Sequence, residues 1–231
     1  MPETHDKTVI ELNNVSKVYQ MGEVEVSALK NINMKVKKGE FVVVMGPSGS
    51  GKSTLMNLIG CLDIPTEGKI FLETHDISKL SESQLARIRG SRIGFIFQFF
   101  NLYPTLSVIE NVELPMRIHN YDERKIRGKS LELLKMVGLQ NRNDHLPSQL
   151  SGGEMQRVAI ARALSTEPSM ILADEPTGNI DSKTSQEIMQ FFKKLHTEKN
   201  ETIIIVTHDQ SVAKYAQRII HLKDGQIKEG G

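Results

Sequence analysis

The chain has 231 residues, with 29 Lys and Arg against 28 Asp and Glu and a single cysteine. Near-neutral charge argues against a surface built to wrap nucleic acid, and one cysteine excludes both an internal disulfide framework and a cysteine-built zinc site. No apolar run reaches the roughly 20 residues a spanning helix needs, and the start MPETHDKTVIEL lacks a signal-peptide core, so the expected location is cytoplasmic.

The first forty residues read as short strands and turns. In KNINMKVKKGE, Ile32, Met34 and Val36 alternate with polar neighbours, predicting a half-buried strand that ends at Gly39. FVVVM at 41–45 is continuously apolar and β-branched, as expected of a central parallel strand covered on both faces. Cys61, inside LMNLIGCL, is expected to be a buried thiol, and the basic cluster RIRGSR at 87–92 a solvated face. Further strands are predicted at 93–97, 170–173 and 202–206. The stretch DERKIRGKSLELLKMVG predicts a helix stopped near Gly138, followed by a polar linker carrying Pro147. Residues 99–165 are thus expected to form a mostly helical insertion in an α/β core. After it, Ile188, Phe191, Phe192 and Leu195 make one helical stripe that Asp181 or Ser182 can cap. Asp224-Gly225 between alternating segments predicts a hairpin.

GPSGSGKS satisfies G-x-x-x-x-G-K-[ST] over Gly46, Pro47, Ser48, Gly49, Ser50, Gly51, Lys52 and Ser53, between a buried strand and a helix. Its glycines let backbone N–H groups curl around a phosphate, and the following helix adds a favourable dipole. Lys52 is expected to reach the β- and γ-phosphates, and the Ser53 hydroxyl to ligate magnesium. MILADEP leaves Asp174 and Glu175 at a strand's carboxyl edge, where open α/β sheets bind ligands. Asp174 suits magnesium; Glu175 suits the water that attacks the γ-phosphate. Gln98 and His208 also follow strand runs, the first suited to magnesium or the attacking water, the second to a γ-phosphate oxygen; taken alone, Gln98 is equally well a loop amide and His208 a lone surface histidine. Tyr19 could stack on adenine or simply pack.

LSGGE at 150–154 poses a separate question. Ser151 and Glu154 fit a capping box, but capping does not require Gly152 and Gly153. Close approach of backbone N–H groups to an anion does. Since the loop at 46–53 serves the chain's own nucleotide, that anion is expected to belong to a second subunit.

These motifs in this order, from GPSGSGKS through Gln98, LSGGE, ILADE and GNID to His208, resemble the ATP-binding subunit of an ATP-binding-cassette (ABC) transporter along essentially the whole chain. MGPSGSGKSTLMNLIGCLDIPTEGKI, FNLYPTLSVIENVELPM and QLSGGEMQRVAIARAL are similar to the branch of lipoprotein-releasing and macrolide or peptide exporters, which includes the cell-division ATPase. The resemblance implies one P-loop ATPase domain over residues 1–231. It would have a mostly parallel core sheet, an N-terminal antiparallel β region and a helical subdomain. ATP and Mg2+ are the implied cofactors. Tyr19 would stack on adenine, Gly46 to Thr54 would hold phosphates, and Ser53, Gln98 and Asp174 would serve the metal. Glu175, His208, Gln98 and Lys52 would carry catalysis. Ser151, Gly152 and Gly153 would meet the nucleotide of the opposite subunit, with Asp181 in the loop crossing between subunits. The implied assembly is a homodimer with ATP sandwiched at its interface, peripheral on the cytoplasmic membrane face through a transmembrane permease contacted around Asn101 to Val108. No nucleic acid partner is implied. Two residues depart from the pattern: Glu154, where Gln is commoner, and Phe99, where the branch often has a second Gln. Glu154 is expected to turn back onto its own helix start.

Overall fold

The computed structural model describes residues 8–228. First among the described residues are two long antiparallel strands, β1 (Thr8–Met21) and β2 (Val24–Lys37). These replace the expected short strands and turns. The irregular pattern has a local cause: the β1–β2 register shifts repeatedly, and Asn14 and Asn31 adopt positive φ of 51° and 50°. Irregular pairing bends the ribbon and breaks strict alternation without ending a strand. Only the second half of β2 alternates cleanly, with Ile32, Met34 and Val36 buried as expected. The core strand β3 (Phe41–Met45) follows, then α1 (Lys52–Ile59). Next come β4 (Glu67–Leu72) and β5 (His75–Asp76), which complete a four-stranded sheet in the order β2-β1-β4-β5.

The helix α2 (Glu82–Arg92) carries the basic cluster and runs straight into β6 (Ile93–Ile96). Three helices come next: α3 (Val108–Ile118), α4 (Glu123–Met136) and α5 (Gly152–Leu164). They form the helical subdomain. Past α4, Gly138 at φ 76° terminates the helix as expected, its N–H donating to Lys135 O. The chain then completes the core with β7 (Met170–Asp174), α6 (Ser182–Lys199), β8 (Ile203–Thr207), the short α7 (Gln210–Ala213), β9 (Arg218–Lys223) and β10 (Gln226–Lys228). Asp181 supplies the α6 cap, accepting from the N–H groups of Lys183 and Thr184.

The second sheet has the order β10-β9-β3-β8-β7-β6 and is parallel except for the β9–β10 hairpin. Asp224 and Gly225 turn that hairpin with φ of 52° and 74°, the left-handed pair such a turn requires. Both faces of the sheet are covered, which accounts for the continuously apolar strands. Val42, Val44, Leu172, Ile204 and Val206 join one core, shared with α1 and the antiparallel sheet. Phe41, Val43, Ile171, Ile203 and Ile205 point into the other, shared with α3 to α6. Cys61 is fully buried in the first core, and burial pushes its thiol up to about 11. Among the described residues no helix is long and apolar enough to cross a membrane.

Candidate active site

Strand register gathers the expected residues. Met45 pairs with Thr207, Val206 with Asp174, and Ala173 with Ile96, so four parallel strands end level. The chain leaves those ends as the loop 46–53, as Glu175, as His208 and as Gln98 on one carboxyl edge. Sheet geometry alone brings these groups together, which is why similar runs of apolar residues precede each of them.

The loop has little freedom. Gly49 and Gly51 adopt φ of 75° and 100°, conformations that a side chain would oppose. A Cβ on Gly46 would lie 2.2 Å from Leu222 O, and one on Gly51 would lie 2.6 Å from Ala28 O. Lys52 Nζ donates to Gly46 O at 2.7 Å and Pro47 O at 2.8 Å, crossing the loop it closes. Ser48 and Ser53 are exposed, whereas Ser50 is buried and its Oγ has no partner. Gly225 N donates to Ser50 O at 3.0 Å, and Gly225 O accepts from Lys30 N at 2.8 Å. The β9–β10 hairpin therefore braces the loop against β2.

Glu175 is the most constrained acid. Its own backbone adopts φ 43°, a sparsely populated conformation for a side chain of this size, held by Glu175 N donating to Val206 O. Oε2 accepts from Thr207 Oγ1 at 2.6 Å, while Oε1 accepts from His208 N at 3.0 Å and meets His208 Nδ1 at 2.6 Å. Acid and histidine are thus one unit, built from the ends of adjacent strands. Burial, then the neighbouring Glu175 charge, raises the Asp174 carboxyl above its ordinary range, against the opposing effect of Lys52. Two crowded carboxylates of this kind favour a bound cation. Gln98 Nε2 faces Asn179 Oδ1 at 3.5 Å, and Asn179 Nδ2 donates to Gln98 O at 2.9 Å, joining the loop after β6 to the GNID stretch. The Tyr19 hydroxyl donates to Asp63 at 2.9 Å, and the phenol also contacts Thr54, the residue after Ser53 on α1.

At the signature, Ser151 caps α5 and Glu154 does turn back. Its Oε2 accepts from Ser151 N at 2.9 Å and from Ser151 Oγ at 3.0 Å, and these bonds hold the carboxyl below its usual range. The two glycines separate. A Cβ on Gly153 would lie 2.3 Å from Thr184 Cγ2, so packing of α5 on α6 is enough to require glycine there. Packing thus gives Gly153 a reason to be glycine in addition to the expected anion. A Cβ on Gly152 would meet nothing nearer than 3.4 Å, so Gly152 alone has no internal reason to be glycine. Asp181 is exposed and spends Oδ1 on capping α6.

Several supporting residues carry no signal in the sequence. Thr207 is apolar-run punctuation in sequence and the Glu175 clamp in structure. Gln156 is fully buried and donates to Pro176 O at 2.6 Å, tying α5 to the turn after Glu175. Arg162 donates to the carbonyls of Phe100 and Asn101, two successive residues at φ 61° and 50°. Nothing in the local pattern of α5 announces either contact, because both partners lie far away in sequence.

The family description "ABC transporter" matches residues 29–178. Among curated relatives, the ABC transporter ATP-binding protein MJ0796 of Methanocaldococcus jannaschii is 53% identical over 227 residues, covering 95% of both chains. The macrolide export ATP-binding/permease protein MacB of Syntrophobacter fumaroxidans is 48% identical over 95% of this chain, which spans 31% of that longer protein. A solved dimer of MJ0796 bound to ADP and Pi superposes with a TM-score of 0.87 at 51% identity, covering 95% of this chain and 97% of that one. CbiO1 of Clostridium perfringens superposes equally well at 31% identity, covering 97% of this chain and 88% of that one. The chain belongs to the ABC transporter family, as a P-loop ATP-binding subunit with an ABC-type ATPase domain, related to MJ0796 and MacB.

Proposed function

We propose that two copies of this chain pair head to tail, clamp two ATP molecules and hydrolyse them to drive a membrane permease. The Glu175 clamp carries the reading. A carboxylate fixed through both oxygens beside Asp174, which itself feels the Lys52 charge, is suited to orient a water and accept its proton, a task of positioning and electrostatics. Lys52 and the backbone of residues 46–54 bind the phosphates, and His208 donates toward the γ-phosphate from the position that also steadies Glu175. Ser53, Asp174 and Gln98 offer the oxygen ligands that Mg2+ prefers, and few protein ligands suffice because phosphates and waters complete its shell. When bound, magnesium would neutralise charge developing on the phosphates. Among the described residues no cluster of three acidic, histidine or cysteine side chains offers a rival metal site.

Gly152, glycine without an internal cause, supports a nucleotide approaching the signature from a second subunit, and MJ0796 forms a dimer. The helical subdomain, which we place at about residues 99–165, presents Phe99 and Tyr103 to solvent as a surface for the permease. Likeness to the macrolide export protein MacB supports export of a macrolide or similar substrate as the coupled work, and the motif resemblance extends that class to peptides and lipoproteins. Peripheral attachment to the cytoplasmic membrane face follows from such a partner.

Glu175→Gln removes the proton acceptor and keeps the shape. Turnover is expected to fall by roughly a hundredfold or more, while ATP binding persists and an ATP-loaded dimer accumulates in size-exclusion chromatography with light scattering. Near-normal steady-state hydrolysis by this variant would refute the general-base role.

A further inference from the structure

Glu154 puts a full negative charge at the start of α5, on the N–H groups that the dimer reading offers to a phosphate. A carboxylate there favours the helix through its dipole but opposes a second anion. The structure contains a counterweight. Arg142 Nε donates to Glu154 Oε1 at 3.2 Å, leaving Oε2 to Ser151. The arginine is itself held. Its NH1 group donates to His145 Nε2 at 3.1 Å, its N–H to Leu139 O, and its carbonyl accepts from His145 N. That turn is pinned to the start of α3, where Val108 N donates to His145 O at 2.8 Å and Ile109 N to Asn143 O at 3.0 Å. Arg142 thus approaches Glu154 from a fixed segment outside the helix.

We propose that Arg142 is a positioning residue that offsets the Glu154 charge and holds that carboxylate back, so that the signature start can receive the partner subunit's nucleotide. The inference rests on the head-to-tail reading above. The Arg142 side chain is 46% exposed and that of Glu154 18%, so solvent screens the pair and its effect is moderate rather than absolute. A residue that merely buttressed the fold would matter equally whether position 154 were charged or neutral. Charge compensation would not.

The test is a double-mutant cycle in the Glu175→Gln background, which retains ATP, with the ATP concentration for half-maximal dimerisation read by light scattering. Arg142→Gln is expected to raise that concentration roughly tenfold when Glu154 is present, and by less than about twofold in a Glu154→Gln chain. Arg142→Lys, which keeps the charge, should stay within about threefold and guards against a folding artefact. An equal loss in both Glu154 backgrounds would overturn the inference alone. Failure of the Glu175→Gln parent to dimerise with ATP would overturn the dimer reading, and this inference with it.

Discussion

The paired glycines of LSGGE respond to alanine in opposite ways, and the geometry sets how far apart they fall. At Gly153 the added methyl would lie 2.3 Å from Thr184 Cγ2, well over 1 Å inside the usual contact of about 3.5–4.0 Å between carbons. Helix α5 or the Thr184 rotamer must yield. Overpacking of this kind costs about 1–3 kcal/mol, and the helix-propensity advantage of alanine returns up to about 1 kcal/mol. Gly153→Ala should therefore lower stability by about 1–2 kcal/mol in urea unfolding, with an unchanged denaturant slope. Thr184→Ser deletes Cγ2 and leaves nothing nearer than 3.5 Å, so the same alanine should be nearly neutral in that background. Gly152→Ala meets only ordinary contacts at 3.4 Å and should leave stability unchanged or slightly raised. Its cost should appear instead as lost ATP-dependent dimerisation and turnover. An equal stability loss from Gly153→Ala in the native and Thr184→Ser backgrounds refutes the packing argument, and full activity of Gly152→Ala refutes the anion argument.

Gly225→Ala should act at a distance. Its φ of 74° disfavours a side chain by about 1–2 kcal/mol, and the Cβ would lie 2.8 Å from Ala28 O. The expected outcome is lower stability together with weaker ATP binding, because the Ser50 carbonyl loses its support; unchanged ATP affinity by calorimetric titration would contradict the bracing. Cys61 supplies a pH signature. Its folded thiol, pushed up to about 11 from an ordinary 9.0, contributes fully below about pH 9 and loses that contribution as pH rises toward 11. The loss is worth about 2–3 kcal/mol, and a Cys61→Ala chain should lack this part of the alkaline decline in stability, measured against its own neutral-pH value.

The sequence was most readable where one segment decides its own structure. The loop at 46–53 announces itself through glycines whose φ values only glycine takes readily, and the buried strands through runs with no polar face. Asp181 and Ser151 could be placed as caps because a cap bonds within three residues. The two 14-residue strands β1 and β2 were hidden because irregular pairing breaks the period that defines a strand. Support for the site was hidden for a different reason. Thr207, Gln156, Arg162 and Arg142 act on groups 12 to 62 residues away, and no local pattern encodes such a meeting. Gly153 shows the converse, where a conspicuous motif tempts one explanation for two residues that the packing separates.

Because Gly225 completes the bracing of a loop made about 175 residues before it, the nucleotide site cannot mature in the order in which it is synthesised. A ribosome adding about 5–20 residues per second needs roughly nine to thirty-five seconds to travel from Ser50 to Gly225. Throughout that interval the glycine loop exists without the hairpin that fixes the Ser50 carbonyl. The bracing of the nucleotide loop is thereby complete only once nearly all of the core sheet has been made.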